Sequence, residues 1–197
     1  GSKSVAVGTD ALQTQNFTTA TDSFNTAVGY NAGNAVTTGI YNVLIGGLAG
    51  DALTDADQNV AIGLNALTGD TLGSDSIAIG TNALRVQNFT TATNTYNVAI
   101  GTSAGAAVTT GIQNTIVGGL AGDALTNSNY NVAIGYAALT TETLGERNVA
   151  IGKSALQSSN ITTATAAYNV AMGYHAGLSV STGVQNTLIG GEAGDAL

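Results

Sequence analysis

The chain has 197 residues, a net charge of −8 from 12 acidic and 4 basic side chains, 44% hydrophobic residues, 27 glycines, and no cysteine, proline or tryptophan. That composition excludes a disordered chain, which couples low hydrophobicity to high charge, and it excludes a disulfide framework or thiolate zinc site. Lys3, Arg85, Arg147 and Lys153 are too few and too scattered for a nucleic-acid surface, and no apolar run reaches the roughly 20 residues of a membrane span.

Gly1-Ser2 reads as a cloning remnant and residues 1–3 as a leader, with no charged-then-apolar signal peptide. From Ser4 onward one phrase recurs, seen most plainly as Asn59-Val60-Ala61-Ile62-Gly63. Its closing glycine falls at 8, 29, 46, 63, 80, 101, 118, 135, 152, 173 and 190, in steps of 21 or 17 residues. The steps themselves cycle as 21, 17, 17 and 17, which sets a 72-residue super-repeat with cycles 4–75, 76–147 and 148–197. The last cycle stops after three units, so the chain is read as one repetitive domain, 4–197, excerpted from a longer fibre. Self-similarity of this period points to a stacked array, with each unit burying its apolar surface against the next.

The first unit, Ser4 to Gly8, leads into a long connection carrying Phe17 and Phe24 around Thr18-Thr19-Ala20-Thr21. The second, from Asn25, carries Thr37-Thr38-Gly39; the third contains Gly46-Gly47-Leu48-Ala49-Gly50-Asp51; the fourth runs from Asn59 to Thr71-Leu72-Gly73. The cycle from Ser76 repeats this order, with Phe89 and Tyr96 in its long unit, and the cycle from Asn148 places Ile161 and Tyr168 there. The phrase opens with Asn in nine copies and Ser in two, and the residue three after each closing glycine is always Ala. An unvarying Gly and Ala imply tight approach of successive backbone layers. Val, Ile and Thr dominate the phrase and no 3.6-residue spacing is sustained, so each copy is read as a strand. The predicted fold is all-β: a parallel β-solenoid or β-roll of eleven 17- or 21-residue coils, about 50 Å long at the inter-strand spacing.

Side chains alternate along a strand. The second and fourth residues, such as Val60 and Ile62, are assigned to the coil interior, and the third to the opposite face. That third residue is never polar: Ala27, Leu44, Ala61, Ala78, Ala99, Ile116, Ala133, Ala150, Ala171 and Leu188 form a continuous row. An apolar row outside a narrow coil needs a cover, and another copy of the chain about a symmetry axis is the simplest one. This row is therefore the predicted trimer face.

Repeated Asn-Val-Ala-Ile-Gly-x-x-Ala resembles the head repeats of trimeric autotransporter adhesins and related repeats in phage tail fibres, over nearly the whole chain. The resemblance implies a left-handed parallel β-roll assembled as a homotrimer and displayed outside a cell or on a virion. The units depart from that family in length, its coils usually running nearer 14 or 15 residues.

A search for chemistry finds no catalytic, metal or cofactor site, and an enzyme is not expected. The lone His175 stands where other units carry Asn31 and Ser103, which points to an exposed side chain without a catalytic partner. Gly46 to Asp51 and Gly118 to Asp123 misplace the third glycine of the calcium-binding solenoid repeat, so Asp51, Asp123 and Asp195 are read as corner residues. The long connections are the candidate binding loops, through Phe17, Phe24, Phe89, Tyr96, Ile161 and Tyr168; the competing reading packs these side chains beneath their own loops. The expected function is structural and adhesive, with a host-surface glycan or protein as partner. An ice- or carbohydrate-binding solenoid would need threonine in one column of every coil, which pairs such as Thr37-Thr38 and Thr109-Thr110 do not supply. A fibre-borne depolymerase would need a recurring carboxylate pair.

Overall fold

Val, Ile and Thr favour extended backbone and each phrase ends on glycine, so every copy yields one short strand. The computed structural model describes residues 2–197; the supposed remnant residue Gly1 lies outside them. In chain order the strands are β1 (Val5–Val7), β2 (Thr26–Val28), β3 (Val43–Ile45), β4 (Val60–Ile62), β5 (Gly73–Ser74), β6 (Ile77–Ile79), β7 (Thr93–Asn94) and β8 (Val98–Ile100). They continue as β9 (Thr115–Val117), β10 (Val132–Ile134), β11 (Gly145–Glu146), β12 (Val149–Ile151), β13 (Thr165–Ala166), β14 (Val170–Met172) and β15 (Thr187–Ile189). Eleven of them form one parallel sheet in the order β1-β2-β3-β4-β6-β8-β9-β10-β12-β14-β15, and β5 pairs with β7 and β11 with β13 in two small sheets.

The register matches each phrase to the same residues of the next: Val60 pairs with Ile77, Ala61 with Ala78 and Ile62 with Ile79. Each strand is thus one coil from its neighbour, and the chain is an all-β parallel solenoid of eleven coils. The closing glycines are stacked backbone on backbone. At Gly63, with φ of 130°, an added Cβ would lie 2.7 Å from the carbonyl carbon of Gly80, so only glycine fits.

The predicted assignment of the two strand faces is reversed in the structure. Ala27, Leu44, Ala61, Ala78, Ala99, Ile116, Ala133, Ala150 and Ala171 have no exposed surface, and Leu188 is partly buried against the same core. They point into the coil, where a supposed trimer face cannot lie. The second and fourth residues point outward, as in Val60 and Ile62 on either side of buried Ala61. The cause is volume. The interior already holds the Ala column three after the glycine, with leucines such as Leu67 and Leu84, leaving room for a methyl group but not for a row of Val and Ile.

Where the inward residue is large, its neighbours shrink. Leu44 packs where Gly33 and Gly50 leave space, since a Cβ at either glycine would lie 2.6 or 2.7 Å from a Leu44 methyl. Ile116 and Leu188 stand in the same relation to Gly105 and Gly177. The other Ala-centred coils carry leucine at the matching corner, as Ala61 does with Leu67, except those just before a large inward residue, where Ala27, Ala99 and Ala171 keep Gly33, Gly105 and Gly177.

The opening asparagines form a buried ladder. Asn42 donates from Nδ2 to the Ala56 carbonyl near the end of its own coil (2.8 Å), while its Oδ1 accepts the backbone N–H of Asn59 in the next (3.0 Å). A short side chain with both a donor and an acceptor is needed for this double role. The two serine positions begin long coils, where the inserted residues change the carbonyl's position. Ser76 Oγ instead shares a hydrogen bond with Thr95 Oγ1 (2.6 Å) and accepts from Gln87 Nε2 (2.9 Å). Asn148 begins a long coil without those partners, and its buried Nδ2 is unpaired, as is Gln15 Nε2.

Candidate interaction surfaces

Because the small residues face inward, the outward face of the eleven-stranded sheet carries two parallel columns of Val, Ile, Thr and Met. Along one run Val43, Val60, Ile77 and Val98 in register, and along the other Ile45, Ile62, Ile79 and Ile100. Neighbours in a column shield one another, yet Ile45, Ile100 and Met172 remain exposed, Ile100 by 38%. No charged residue enters these two columns.

Aromatic residues border the face on both sides. All seven tyrosines are exposed. Tyr41, Tyr96, Tyr130 and Tyr168 directly precede the buried Asn of their coils, and Tyr30, Tyr136 and Tyr174 directly follow the closing glycine. The preceding column has left-handed backbone in every coil, with φ between 51° at Phe24 and 62° at Tyr130, which turns its side chains outward at a corner. Phe24 stacks on Tyr41 with ring centroids 5.6 Å apart and Lys3 lies over the Phe24 ring at 5.1 Å. The Arg147 guanidinium stands 4.9 Å from the Tyr130 ring and 5.8 Å from that of Tyr168. Lys3 and Ser2, read as leader, take part in this packing: Ser2 N–H donates to Thr21 O at 2.8 Å.

The six loop candidates divide between the competing readings. Phe89 and Ile161 are buried and Phe17 is half-buried, whereas Phe24, Tyr96 and Tyr168 are exposed and belong to the aromatic corner column. Each pair therefore contributes one packing residue and one surface residue.

What holds the loops was not visible in the sequence. The buried carboxyl group of Asp70 accepts the N–H groups of Phe89 (3.0 Å) and Gly73 (3.1 Å) through Oδ1, and Gln87 Nε2 through Oδ2 (2.6 Å). One cycle later, in the short coil before the next long one, Glu142 takes this place: Oε1 accepts from Ile161 N (2.9 Å) and Gly145 N (2.8 Å), and Oε2 from Ser159 Oγ (2.7 Å). A short acid with a long amide and a long acid with a short hydroxyl span the same gap. The compensation hides the pair, because neither column keeps its residue type.

The corner acids have protein partners: Thr68 Oγ1 donates to Asp51 and Thr140 Oγ1 to Asp123. Asp57 lies beside Asp55 and Asp75; burial, with repulsion from these two, raises its pKa above the ordinary value of 3.8, although the N–H of Ile40 donates to it. At the edge, the Lys3 ammonium and the Ser2 hydroxyl lower the pKa of Asp22. His175 is half-buried and stacks on Tyr174 at 3.7 Å. Among the described residues no group of three or more His, Cys, Asp or Glu could hold a metal.

The column through Thr37 carries hydroxyls in the short coils and asparagine in the long ones, so threonine does not line every coil. Backbone bonds place Asn16, Thr37, Thr54 and Thr71 in line, then Asn88, Thr109, Thr126 and Thr143, then Asn160 and Ser181. Several hydroxyls are spent within the solenoid: Thr54 Oγ1 donates to Thr71 O (3.1 Å) and Thr126 Oγ1 to Thr143 O (3.1 Å). Such hydroxyls do not present a free array to ice. Comparison with family models, curated proteins and solved structures finds no match to the chain.

Proposed function

We propose that the chain is a structural and adhesive segment of an extracellular fibre, of the adhesin-head or phage tail-fibre kind that its repeats resemble. It assembles as a homotrimer through the outward face of the eleven-stranded sheet, and the 72-residue alternation of coil lengths spaces its loops. The observation that supports this most is the pair of uncharged apolar columns, bordered by tyrosines. Eleven coils by five residues of width give a face of about 50 by 16 Å, about 800 Å² per copy, the size of one side of a standard stable interface. Tyrosine at its borders suits a partly wet margin. Long loops ending at Phe24, Tyr96 and Tyr168 leave exposed aromatic rings for a host-surface glycan or protein.

Sedimentation equilibrium tests the assembly. The parent should have three times the 19.4 kDa chain mass, and Ile100→Asp, which puts a charge into the seam without entering the coil, should yield a folded species of lower mass. A parent that stays monomeric at micromolar concentration, or an Ile100→Asp chain that stays trimeric, would refute the seam.

A further inference from the structure

The three long loops share a feature that neither their packing nor the seam explains. Asn16-Phe17-Thr18, Asn88-Phe89-Thr90 and Asn160-Ile161-Thr162 each read Asn-x-Thr, the acceptor pattern for N-linked glycan. The chain has 19 asparagines, and none of the other 16 has Ser or Thr two residues on. The pattern is therefore confined to the longest loops, one copy in each.

In all three loops the Asn and the Thr are exposed, while the residue between them is buried or half-buried. The loop thus turns its two reactive positions outward around an inward anchor. Asn88 and Asn160 use Oδ1 to accept from the hydroxyls of Thr71 and Thr143, each at 3.1 Å. Their Nδ2 atoms, like that of Asn16, make no hydrogen bond among the described residues, and neither do the hydroxyls of Thr18, Thr90 and Thr162.

Structure alone requires neither residue. Elsewhere in the same column the position held by Asn88 is threonine, and Thr54 donates to a backbone carbonyl with no amide to assist it. Thr71 also has such a carbonyl, that of Phe89 at 2.8 Å. Replacing Asn88 would leave that bond in place. The threonine two residues on contributes no hydrogen bond and little burial, yet a hydroxyl stands there in all three loops.

We infer that Asn16, Asn88 and Asn160 are attachment sites for N-linked glycan. The reaction is displacement at the sugar: Asn Nδ2 bonds to the anomeric carbon of a glycosyl diphosphate, the bond from that carbon to the diphosphate oxygen breaks, and the amide loses one proton. The donor and its transferase are external to the chain. Sites four coils apart would be separated by about 19 Å along the solenoid, giving a regular row of sugars.

The test is intact mass and peptide mapping of the chain isolated from its native source. The expected result is sugar-sized added mass on the peptides bearing Asn16, Asn88 and Asn160, removed by an amidase that leaves Asp in place of Asn. Thr90→Ser, expressed in the same host, should keep the modification at Asn88; the isosteric Thr90→Val should abolish it there and leave the other two loops modified. Bare asparagines in the native chain, or a modification that survives Thr90→Val, would overturn the assignment. Sedimentation of enzymatically deglycosylated chain reads the seam separately, so either proposal can fail alone.

Discussion

The trade between Leu44 and its two glycines can be tested with a mutant cycle. Leu44 has no exposed surface, so Leu44→Ala should destabilise the chain by about 3–5 kcal/mol, from lost transfer energy and the cavity left behind. Gly50→Leu alone should cost about 1–3 kcal/mol by overpacking, because its first carbon already falls 2.7 Å from a Leu44 methyl. The backbone is not the obstacle: φ is 55° at Gly50 and 54° at Leu67. The double variant restores the Ala61 and Leu67 pairing of the fourth coil on the Leu44 side, while buried Leu53, 2.8 Å from the same Cβ, keeps part of the overpacking cost. It should be more stable than the sum of the single effects predicts by about 2 kcal/mol or more, in the range for residues sharing one cavity. Urea unfolding followed by circular dichroism of the four chains gives the coupling. Additivity within about 0.5 kcal/mol would mean that Leu44 does not occupy the space left by Gly50, and the volume argument for the inward face would fail.

Asp57→Asn should raise the melting temperature at neutral pH. A carboxyl whose folded pKa is raised stabilises fully below its unfolded value of 3.8, and that contribution is lost as pH rises through the folded pKa. The advantage should therefore vanish in acid, while the Ile40 bond survives as it does at Asn129, which accepts from Ile112 N at 2.8 Å. A second gain should come from Asn148→Ser with Ala167→Thr, which removes an unpaired buried amide and restores the hydroxyl pair of Ser76 and Thr95; relief of about 1–3 kcal/mol would appear in urea unfolding. Gly101→Ala should destabilise by at least about 2 kcal/mol, its Cβ meeting the Gly118 carbonyl at 2.6 Å, whereas Gly191→Ala, with nothing within 4 Å, should barely shift the melting temperature.

The coils, their lengths and their parallel stacking were legible because the phrase is repeated and its closing glycine never varies. The direction of the faces was not. Val60, Ala61 and Ile62 are all apolar, so alternation of polarity gives no orientation, and bulk alone points Val60 and Ile62 to the interior. In a narrow coil the reverse holds: bulk goes outside unless a neighbour gives way, as Gly33 and Gly50 do for Leu44. That clue was present in the sequence, but in the relation between two columns. The left-handed backbone of Tyr41 left no trace, since neither its own type nor most others in its column favour positive φ, and that of Leu67 and Leu120 was marked only by column mates such as Gly33 and Gly50 for the one and Asn31 and Asn65 for the other. Stacking against the adjacent coils imposes it.

The same relation between columns separates architecture from surface chemistry in the long loops. Asp70 with Gln87 and Glu142 with Ser159 perform one task with different residues, so the interior tolerates change when its partner changes with it. Phe89 and Ile161 likewise fill equivalent buried places with different shapes. Against such substitution inside, the identical Asn and Thr on the outside of all three loops are the reverse of what packing would produce. Exposed side chains with few or no bonds to the solenoid are the ones packing leaves freest to vary. Their sameness is what the proposed glycan attachment would require, and the fold's part is to hold Phe89 and Ile161 from beneath so that the residues flanking them face outward.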